Sequence, residues 1–147
     1  MGIFDSMKIG TEGMSVHSKR LAITAMNMAN IDTPNYVRKI PTIASTQNAT
    51  FLSVLESLRT PMSGAGTLSY VTGGVAFTGI IEDPTLGEKI YKPGHPDADE
   101  NGYIRTSNVN PLVEMSDATM SQRAYEASVA IVSISKAMAE KAVSMGQ

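Results

Sequence analysis

The sequence predicts an α+β protein, in which two long helices at the ends of the chain enclose a small, irregular β-containing middle. The stretch 110–147 contains one proline, at its second position, and no glycine before Gly146. Near the other end, four apolar residues repeat at seven-residue intervals, the period of a helix that packs along a seam: Met7, Met14, Leu21 and Met28. Turn residues and short alternating segments separate these stretches. We therefore expect a helix in 1–30, an extended and β-hairpin region in 31–110, and a helix in 111–147.

The N-terminal helix is expected between residues 3 and 30. A second apolar flank runs beside the seven-residue row: Ile9, Val16 and Ile23. Gly10 and Gly13 interrupt the first half of the helix, and each costs about 1 kcal/mol relative to Ala. The pattern is therefore that of a helix made stable by a partner rather than by its own propensity.

A sharp stop follows the first helix in residues 30–36. Thr33 precedes Pro34, and a residue before proline is disfavoured in the helical region. Asn35 tolerates a left-handed backbone better than most residues. The sequence therefore predicts a rigid turn that redirects the chain.

The middle of the chain is predicted from short local signals. Tyr36–Ile43 has an extended pattern, with Pro41 marking an edge or a break. Apolar spacing predicts a short helix in Thr50–Arg59, and glycines predict a loop in Pro61–Thr67. The remaining expected elements are strands in Leu68–Ile81 about a Gly73-Gly74 turn, and a hairpin that joins Tyr91 with Tyr103–Arg105.

The C-terminal helix should begin at Asn110, a good N-cap, with Pro111 in the first helical position. About 35 residues at 1.5 Å each give a rod of roughly 50 Å. A row of apolar and small residues follows it: Met120, Ala124, Ala127, Ile131, Ile134 and Met138. We expect this row to pack against the first helix as a terminal coiled coil and to offer its remaining surface to neighbouring copies.

The composition excludes several classes of function. A net charge of −2 gives no basic field for nucleic acid, and no run approaches the ~20 apolar residues of a membrane span. Cysteine is absent, which removes disulfides and thiolate metal sites. The first residues lack the charged and apolar regions of a signal peptide, so we expect no cleaved leader.

No residue set has the spacing of a catalytic site. Serines and threonines are numerous, but no nucleophile, base and orienting acid group together. His17 and His95 each lack a second ligand or base beside them, and Gly64-Ala65-Gly66 lacks the lysine of a phosphate-binding loop. We therefore expect neither an enzyme nor a bound cofactor.

Two pairs of adjacent basic residues stand out in this weakly charged chain, Lys19-Arg20 and Arg38-Lys39. Each pair could contact acidic groups on a neighbouring copy or lie solvated on the surface. We favour the solvated surface for Lys19-Arg20.

One acidic stretch resembles the first half of an EF-hand calcium loop. Asp97, Asp99 and Asn101 match its first, third and fifth positions, and Gly102 matches the sixth. The twelfth position, normally a bidentate Glu, is Asn108. We therefore favour a tight turn over a calcium site. In this turn Asp97 and Asp99 would accept hydrogen bonds from backbone amides, and the loop would contact a neighbouring subunit.

Three stretches resemble the bacterial flagellar rod and hook axial proteins. The turn after the first helix resembles their ANxxTPGY motif at Ala29, Asn30, Thr33, Pro34, Asn35 and Tyr36. The middle resembles the proximal rod members of the family at Gly94, His95, Pro96, Asp97, Asp99, Asn101, Gly102 and Tyr103. Residues 123–127, RAYEA, resemble the RAYEAN segment of the C-terminal helix. The departures are Asn35, where the family usually has Gly, and Ser128, where it has Asn.

The resemblance implies a structural subunit of the flagellar rod. Such proteins polymerise helically across the periplasm into a drive shaft, and their terminal helices form the inner tube that lines the export channel. The implied partners are further copies, the rod subunits FlgB, FlgF and FlgG, the rod-base adaptor FliE and the flagellar export apparatus. The implied location is the basal body, reached by type III export without a cleaved signal.

The helical periodicity leaves a second function open, that of a cytosolic coiled-coil adaptor or chaperone-like binding module. Such a module would need its helices to pair stably within one chain or a dimer. A filament subunit would instead gain helix on assembly.

Overall fold

The computed structural model describes residues 3–46 and 73–146 of the chain. Its elements are α1 (Ile3–Ala29), β1 (Lys39–Ser45), β2 (Val75–Glu82), β3 (Lys89–Tyr91), β4 (Tyr103–Arg105) and α2 (Pro111–Met145). The predicted α+β class, with terminal helices around a β-containing middle, is confirmed. The predicted helix Thr50–Arg59 and loop Pro61–Thr67 lie outside the described residues.

The predicted cap of the C-terminal helix is confirmed. The Asn110 side chain accepts hydrogen bonds from the amides of Leu112 and Val113, at 3.0 and 3.4 Å, and Pro111 is the first helical residue. The helix runs for 35 residues, which is about 52 Å. It is therefore longer than α1, which has 27 residues.

The two helices pack against each other in antiparallel directions. Asn27 near the end of α1 meets Glu114 at the start of α2, and Gly10 meets Val132 further along. On α2 the buried residues repeat every seven positions and are all polar: Glu114, Ser121, Ser128 and Ser135. We call this contact the helix seam, defined by these four residues with Gly10, Gly13 and Asn27 of α1.

Two glycines allow the helices to approach closely at the helix seam. A Cβ added at Gly10 would lie 2.6 Å from Val132 Cγ2 and 3.3 Å from the Ser128 carbonyl oxygen. A Cβ at Gly13 would lie 2.8 Å from Ser128 Oγ. The low helix propensity of glycine is thus offset by packing that a side chain would prevent.

The row predicted to pair the helices lies beside the centre of the contact within the chain, not on it. Each of its members Met120, Ala127, Ile131, Ile134 and Met138 precedes a position on the seam side of α2 by one residue. One residue turns about 100° round a helix, so this row lies at the edge of the helix seam and is exposed. Ile131 also borders α1, because its Cγ2 would lie 3.6 Å from a Cβ added at Gly10. Of the remaining predicted residues, Ala124, Met7 and Met14 are half-buried, whereas Leu21 and Met28 are exposed. The prediction failed because small residues permit a closer helix contact than Met and Ile do, and a coiled coil remains a prediction.

His17 lies one heptad from both Gly10 and Thr24, and therefore faces α2. Its Nδ1 atom is buried without a hydrogen-bond partner. Burial, followed by the positive charge of Arg20, lowers the pKa of His17 below its ordinary value.

We expect stability to fall in mild acid because of His17. Its pKa is lower in the folded chain than in the unfolded chain, so the unfolded chain binds more protons there. The contribution of His17 should be fully present above about pH 6.5 and be lost as the pH falls towards the folded-state pKa. Urea unfolding of the wild type, His17→Gln and the control His95→Gln, at neutral pH and in mild acid, would measure it. Equal acid sensitivity in all three proteins would contradict the assignment to His17.

β1 and β2 form an antiparallel ribbon that packs against α1. The register runs from Lys39 opposite Glu82 to Ser45 opposite Val75, with a bulge between Thr42 and Ile43. The predicted Gly73-Gly74 turn is wrong, because the Gly74 carbonyl accepts a hydrogen bond from the Thr46 amide and so continues the ladder. The part of that prediction in residues 68–72 lies outside the described residues.

The predicted hairpin is confirmed, since β3 pairs with β4 in antiparallel register. Tyr91 and Tyr103 stand opposite each other, and their rings meet edge to face at 5.2 Å between centroids. Ile104 and Val109 are buried beside this hairpin. Within residues 3–46 and 73–146, neither helix is both long and apolar enough to cross a membrane.

Candidate assembly site

The turn after α1 is held by local hydrogen bonds. The Asn30 side chain donates to the Met26 carbonyl at 2.8 Å, and the Thr33 amide donates to the Asn30 carbonyl at 3.1 Å. Asn35 has a φ of 60°, the left-handed backbone expected from its sequence position. Its amide donates to the Arg105 carbonyl at 3.0 Å, so the turn is fixed to β4.

Asn27 joins this turn to α1 and α2. It is buried, with a relative exposure of 1%. Its Oδ1 accepts hydrogen bonds from the Tyr36 hydroxyl and the Lys39 amide, both at 3.0 Å. Its Nδ2 donates to the Lys39 carbonyl at 2.8 Å and to Glu114 Oε2 at 3.1 Å. One side chain thus fixes the path from the end of α1 into β1.

Glu114 is the buried charge of the site, with an exposure of 1%. Arg38 Nε donates to its Oε1 at 2.6 Å, and the same guanidinium lies 3.3 Å from Asp117 Oδ2 and 3.8 Å from Asp83 Oδ2. The Arg38 amide donates to Asn108 Oδ1 at 2.6 Å. We call Asn27, Tyr36, Arg38, Asn108 and Glu114 the polar hub. It connects α1, β1, the segment before α2 and α2 itself.

The hub also shifts the ionisation of its neighbours. Burial, and then the negative charge of Glu114, raises the pKa of Tyr36, which keeps its hydroxyl a hydrogen-bond donor to Asn27. Hydrogen bonds from Thr85 lower the pKa of Asp83, with a smaller contribution from Arg38. Both shifts preserve the protonation states that the contacts of the hub require.

The structure corrects the interpretation of the paired basic residues. Arg38 contacts acidic groups, but Glu114, Asp117 and Asp83 belong to the same chain. Lys19 is exposed, as expected, and its Nζ also lies 5.0 Å from the centroid of the Phe77 ring. Asn27 was not identified from the sequence. It could have been found as a polar residue at a position on the seam side of α1.

The loop that resembles a calcium site forms a hydrogen-bonded turn. Asp99 Oδ1 accepts from the amides of Asn101 and Tyr103, at 3.0 and 2.8 Å, and Gly102 has a φ of 77°. The Asp97 amide donates to His95 Nδ1 at 3.2 Å. In the described part of the chain, no group of three or more His, Cys, Asp or Glu residues is placed to hold a metal ion. The exposed residues Gly94 and Pro96 precede this turn.

The outward face of α2 carries the large apolar side chains that the helix seam does not use. Met120, Ile134 and Met138 are 56–62% exposed, and Ile131 is 46% exposed. We call the row of Met120, Ala127, Ile131, Ile134 and Met138 the outer row. A continuous apolar row of this kind on a long helix is typical of an interaction surface.

Residues 83–88 form a loop that is fixed at both ends. The Thr85 carbonyl accepts from Asn108 Nδ2 at 2.7 Å, and the Glu88 carbonyl accepts from the Thr106 amide at 2.9 Å. Between them, a Cβ added at Gly87 would overlap the Thr106 carbonyl oxygen. The loop therefore lies directly on the backbone that leads from β4 to α2.

We expect Gly87→Ala to destabilise the protein, because the clash is with backbone and cannot be relieved by a side-chain rotation. The cost should be about 1–3 kcal/mol, the usual range for overpacking. Gly94→Ala is the matched control, since a Cβ there meets nothing within 4 Å. Urea unfolding of both variants would measure the difference, and equal stabilities would contradict the packing described for Gly87.

The chain resembles known proteins in two separate segments. Residues 7–36 match the family model described as "Flagella basal body rod protein". Residues 100–145 match the model described as "Flagellar basal body rod FlgEFG protein C-terminal". The first match covers most of α1 and the turn after it, and the second covers β4 and the whole of α2.

Relatives named "Flagellar basal-body rod protein FlgC" match over the full length of the chain and over their own full length. The relative from Bacillus subtilis is 32% identical over 157 residues. The relative from Buchnera aphidicola of Acyrthosiphon pisum is 31% identical over 149 residues, and that from Salmonella typhimurium is 29% identical over 147 residues. The similarity thus includes the polar hub, the hairpin and both helices.

Proposed function

The chain belongs to the FlgC family of flagellar basal-body rod proteins, and on this premise we propose that its outer row binds neighbouring subunits when the rod assembles. Within the flagellar basal body it is a structural subunit of the rod, a part of the machinery of motility. The family assembles with other rod proteins. The observation that carries the proposal is the outer row, which leaves large apolar side chains exposed on the longest helix.

We assign residues 1–30 and 111–147 to an inner-tube domain built as a coiled coil between subunits, and residues 31–110 to a projecting middle region. Support comes from the helix seam, which uses small and polar residues and leaves the apolar rows for contacts outside the chain. In this arrangement the family-motif turn and the polar hub set the angle at which the middle leaves the helix pair. The helices would line part of the export channel.

The partners we propose are further copies of the chain, the rod subunits FlgB, FlgF and FlgG, and the adaptor FliE at the base of the rod. The chain would reach them through the flagellar export apparatus and form part of a rod that crosses the periplasm. The role is non-enzymatic, as the relatives that match along the whole chain are named for a structural part.

The cytosolic adaptor is not favoured. The helices do pair within one chain, which an adaptor would require. However, full-length similarity to rod proteins reaches beyond the helices into the hairpin and the turn that a generic coiled-coil module would lack.

A deletion strain tests the proposed function. Removal of the gene should abolish rods and motility while leaving the inner membrane ring of the basal body intact, and a plasmid copy should restore both. Normal filaments in the deletion strain would overturn the proposal.

A further inference from the structure

Leu86 is an exposed apolar side chain on a rigid loop. It is 71% exposed, the highest value for a large apolar residue outside the helices in residues 3–46 and 73–146. The loop is fixed on both sides of it by the hydrogen bonds of Thr85 and Glu88, and Gly87 packs on the Thr106 backbone. The exposure of Leu86 is therefore built into the fold. Such a preorganised apolar side chain loses little entropy when it binds.

A groove of about 540 Å³ lies between the turn after α1 and the β3–β4 hairpin. Its apolar lining includes Ile31, Pro34, Ile90, Ile104 and Val109. We call it the hairpin groove. An aliphatic side chain inserted here would meet apolar surface from both the turn and the hairpin.

Charge distinguishes the rim of this groove from the surroundings of Leu86. Lys92, His95 and Arg105 line the groove, together with a single acid, Asp32. Leu86 instead lies between Glu82 and Glu88, with Asp83 paired to Arg38 and Lys89 next along the chain, so residues 82–89 carry a net negative charge. The two surfaces are thus opposite in net charge.

We propose that the Leu86 loop docks into the hairpin groove of a second copy of the chain. The inference rests on the proposed self-association of the subunit. The contact joins two different surfaces, so it would be heterologous, and a heterologous contact that does not close on itself generates an open helical array. A contact of one loop and one groove is too small to hold two free chains together, so it should form only in the assembled rod.

Cysteine cross-linking can detect this contact, because the natural chain contains no cysteine. Two differently tagged full-length copies, one with Leu86→Cys and one with Ile31→Cys, would be expressed together in the deletion strain. Isolated basal bodies would then be oxidised and examined for a disulfide-linked dimer that carries both tags. Ser116→Cys, at an exposed position of α2, replaces Leu86→Cys in the matched control.

We expect a disulfide-linked dimer that carries both tags when the Leu86→Cys and Ile31→Cys copies are expressed together. We expect no such dimer when Ser116→Cys replaces Leu86→Cys, or when either copy is expressed alone. Rods that assemble without this dimer would overturn the docking and leave the rod function standing. A Leu86→Cys copy that links to itself would show a two-fold contact and overturn it as well. If the wild-type plasmid copy never enters basal bodies, the proposed function and the docking both fail.

A second pair of variants covers the case in which the cysteine copies fail to assemble. Leu86→Asp should keep the circular dichroism of the free chain, because the side chain is exposed, but should impair rod assembly and motility. Leu86→Met should preserve both. Full motility of Leu86→Asp would overturn the proposal.

Discussion

Replacing Glu114 with alanine should lower the free energy of unfolding by about 3 kcal/mol or more. Glu114 is almost fully buried, and its carboxylate accepts hydrogen bonds from Arg38 and Asn27. Without it, the Arg38 guanidinium remains half-buried and Asn27 Nδ2 loses one of its two acceptors. Removing one partner of such a pair costs more than the pair contributes, since the other polar groups stay desolvated.

Urea unfolding of the purified chain, followed by circular dichroism, measures this effect. Glu140→Ala is the matched control, because Glu140 lies in the same helix and pairs with Lys136 at 3.9 Å on an exposed surface. The control should change stability by no more than about 0.5 kcal/mol. Equal effects of the two substitutions would show that the hub does not stabilise the fold.

The polar hub was beyond the reach of sequence patterns because its contacts are distant along the chain. Glu114 lies 87 positions from Asn27 and 76 from Arg38. Each residue alone is consistent with a solvated surface. The turn at Asn30–Tyr36 returns the chain so that Arg38 lies near Asn27, and the packing of α1 on α2 brings Glu114 to both.

Local signals, by contrast, predicted local structure well. The cap at Asn110, the left-handed backbone at Asn35 and the hairpin between Tyr91 and Tyr103 each depend on a few neighbouring residues. These are the cases in which side-chain chemistry fixes the backbone directly. The bounds of both helices followed from the same signals.

The helix seam shows why periodicity predicted helices but not their contact. Apolar periodicity marks which residues avoid water, and in our proposal many of those residues contact other subunits rather than the second helix of the same chain. The contact within the chain uses Ser121, Ser128 and Ser135 against Gly10 and Gly13, a repeat of small residues rather than of apolar ones. Such a seam buries little apolar surface on α2, whereas α1 buries Val16 and Ile23. The helix pair therefore relies on the polar hub as well, and in our proposal neighbouring subunits stabilise it further.

Charging the outer row should block rod assembly while leaving the fold of the single chain intact. Ile131→Asp places a carboxylate on a position that is 46% exposed in the chain and, in our proposal, covered by a neighbour in the rod. Stability of the free chain should fall by about 1–2 kcal/mol, from the low helix propensity of Asp and the loss of the half-buried isoleucine side chain. In the rod, an unpaired buried charge would cost several kcal/mol for every subunit. We therefore expect loss of rods and motility in the deletion strain.

Ser133→Asp is the matched control, which tests whether assembly depends on where the new charge lies or only on its presence in α2. Ser133 is exposed on α2, and the two positions lie about 160° apart around the helix. This variant carries the same carboxylate in the same helix, so export and helix propensity change equally in the two proteins. Motility should survive in Ser133→Asp and be lost in Ile131→Asp, with both chains present at equal levels. If Ile131→Asp builds rods as well as Ser133→Asp does, the outer row is not an assembly surface, and the methionines and isoleucines there have another role.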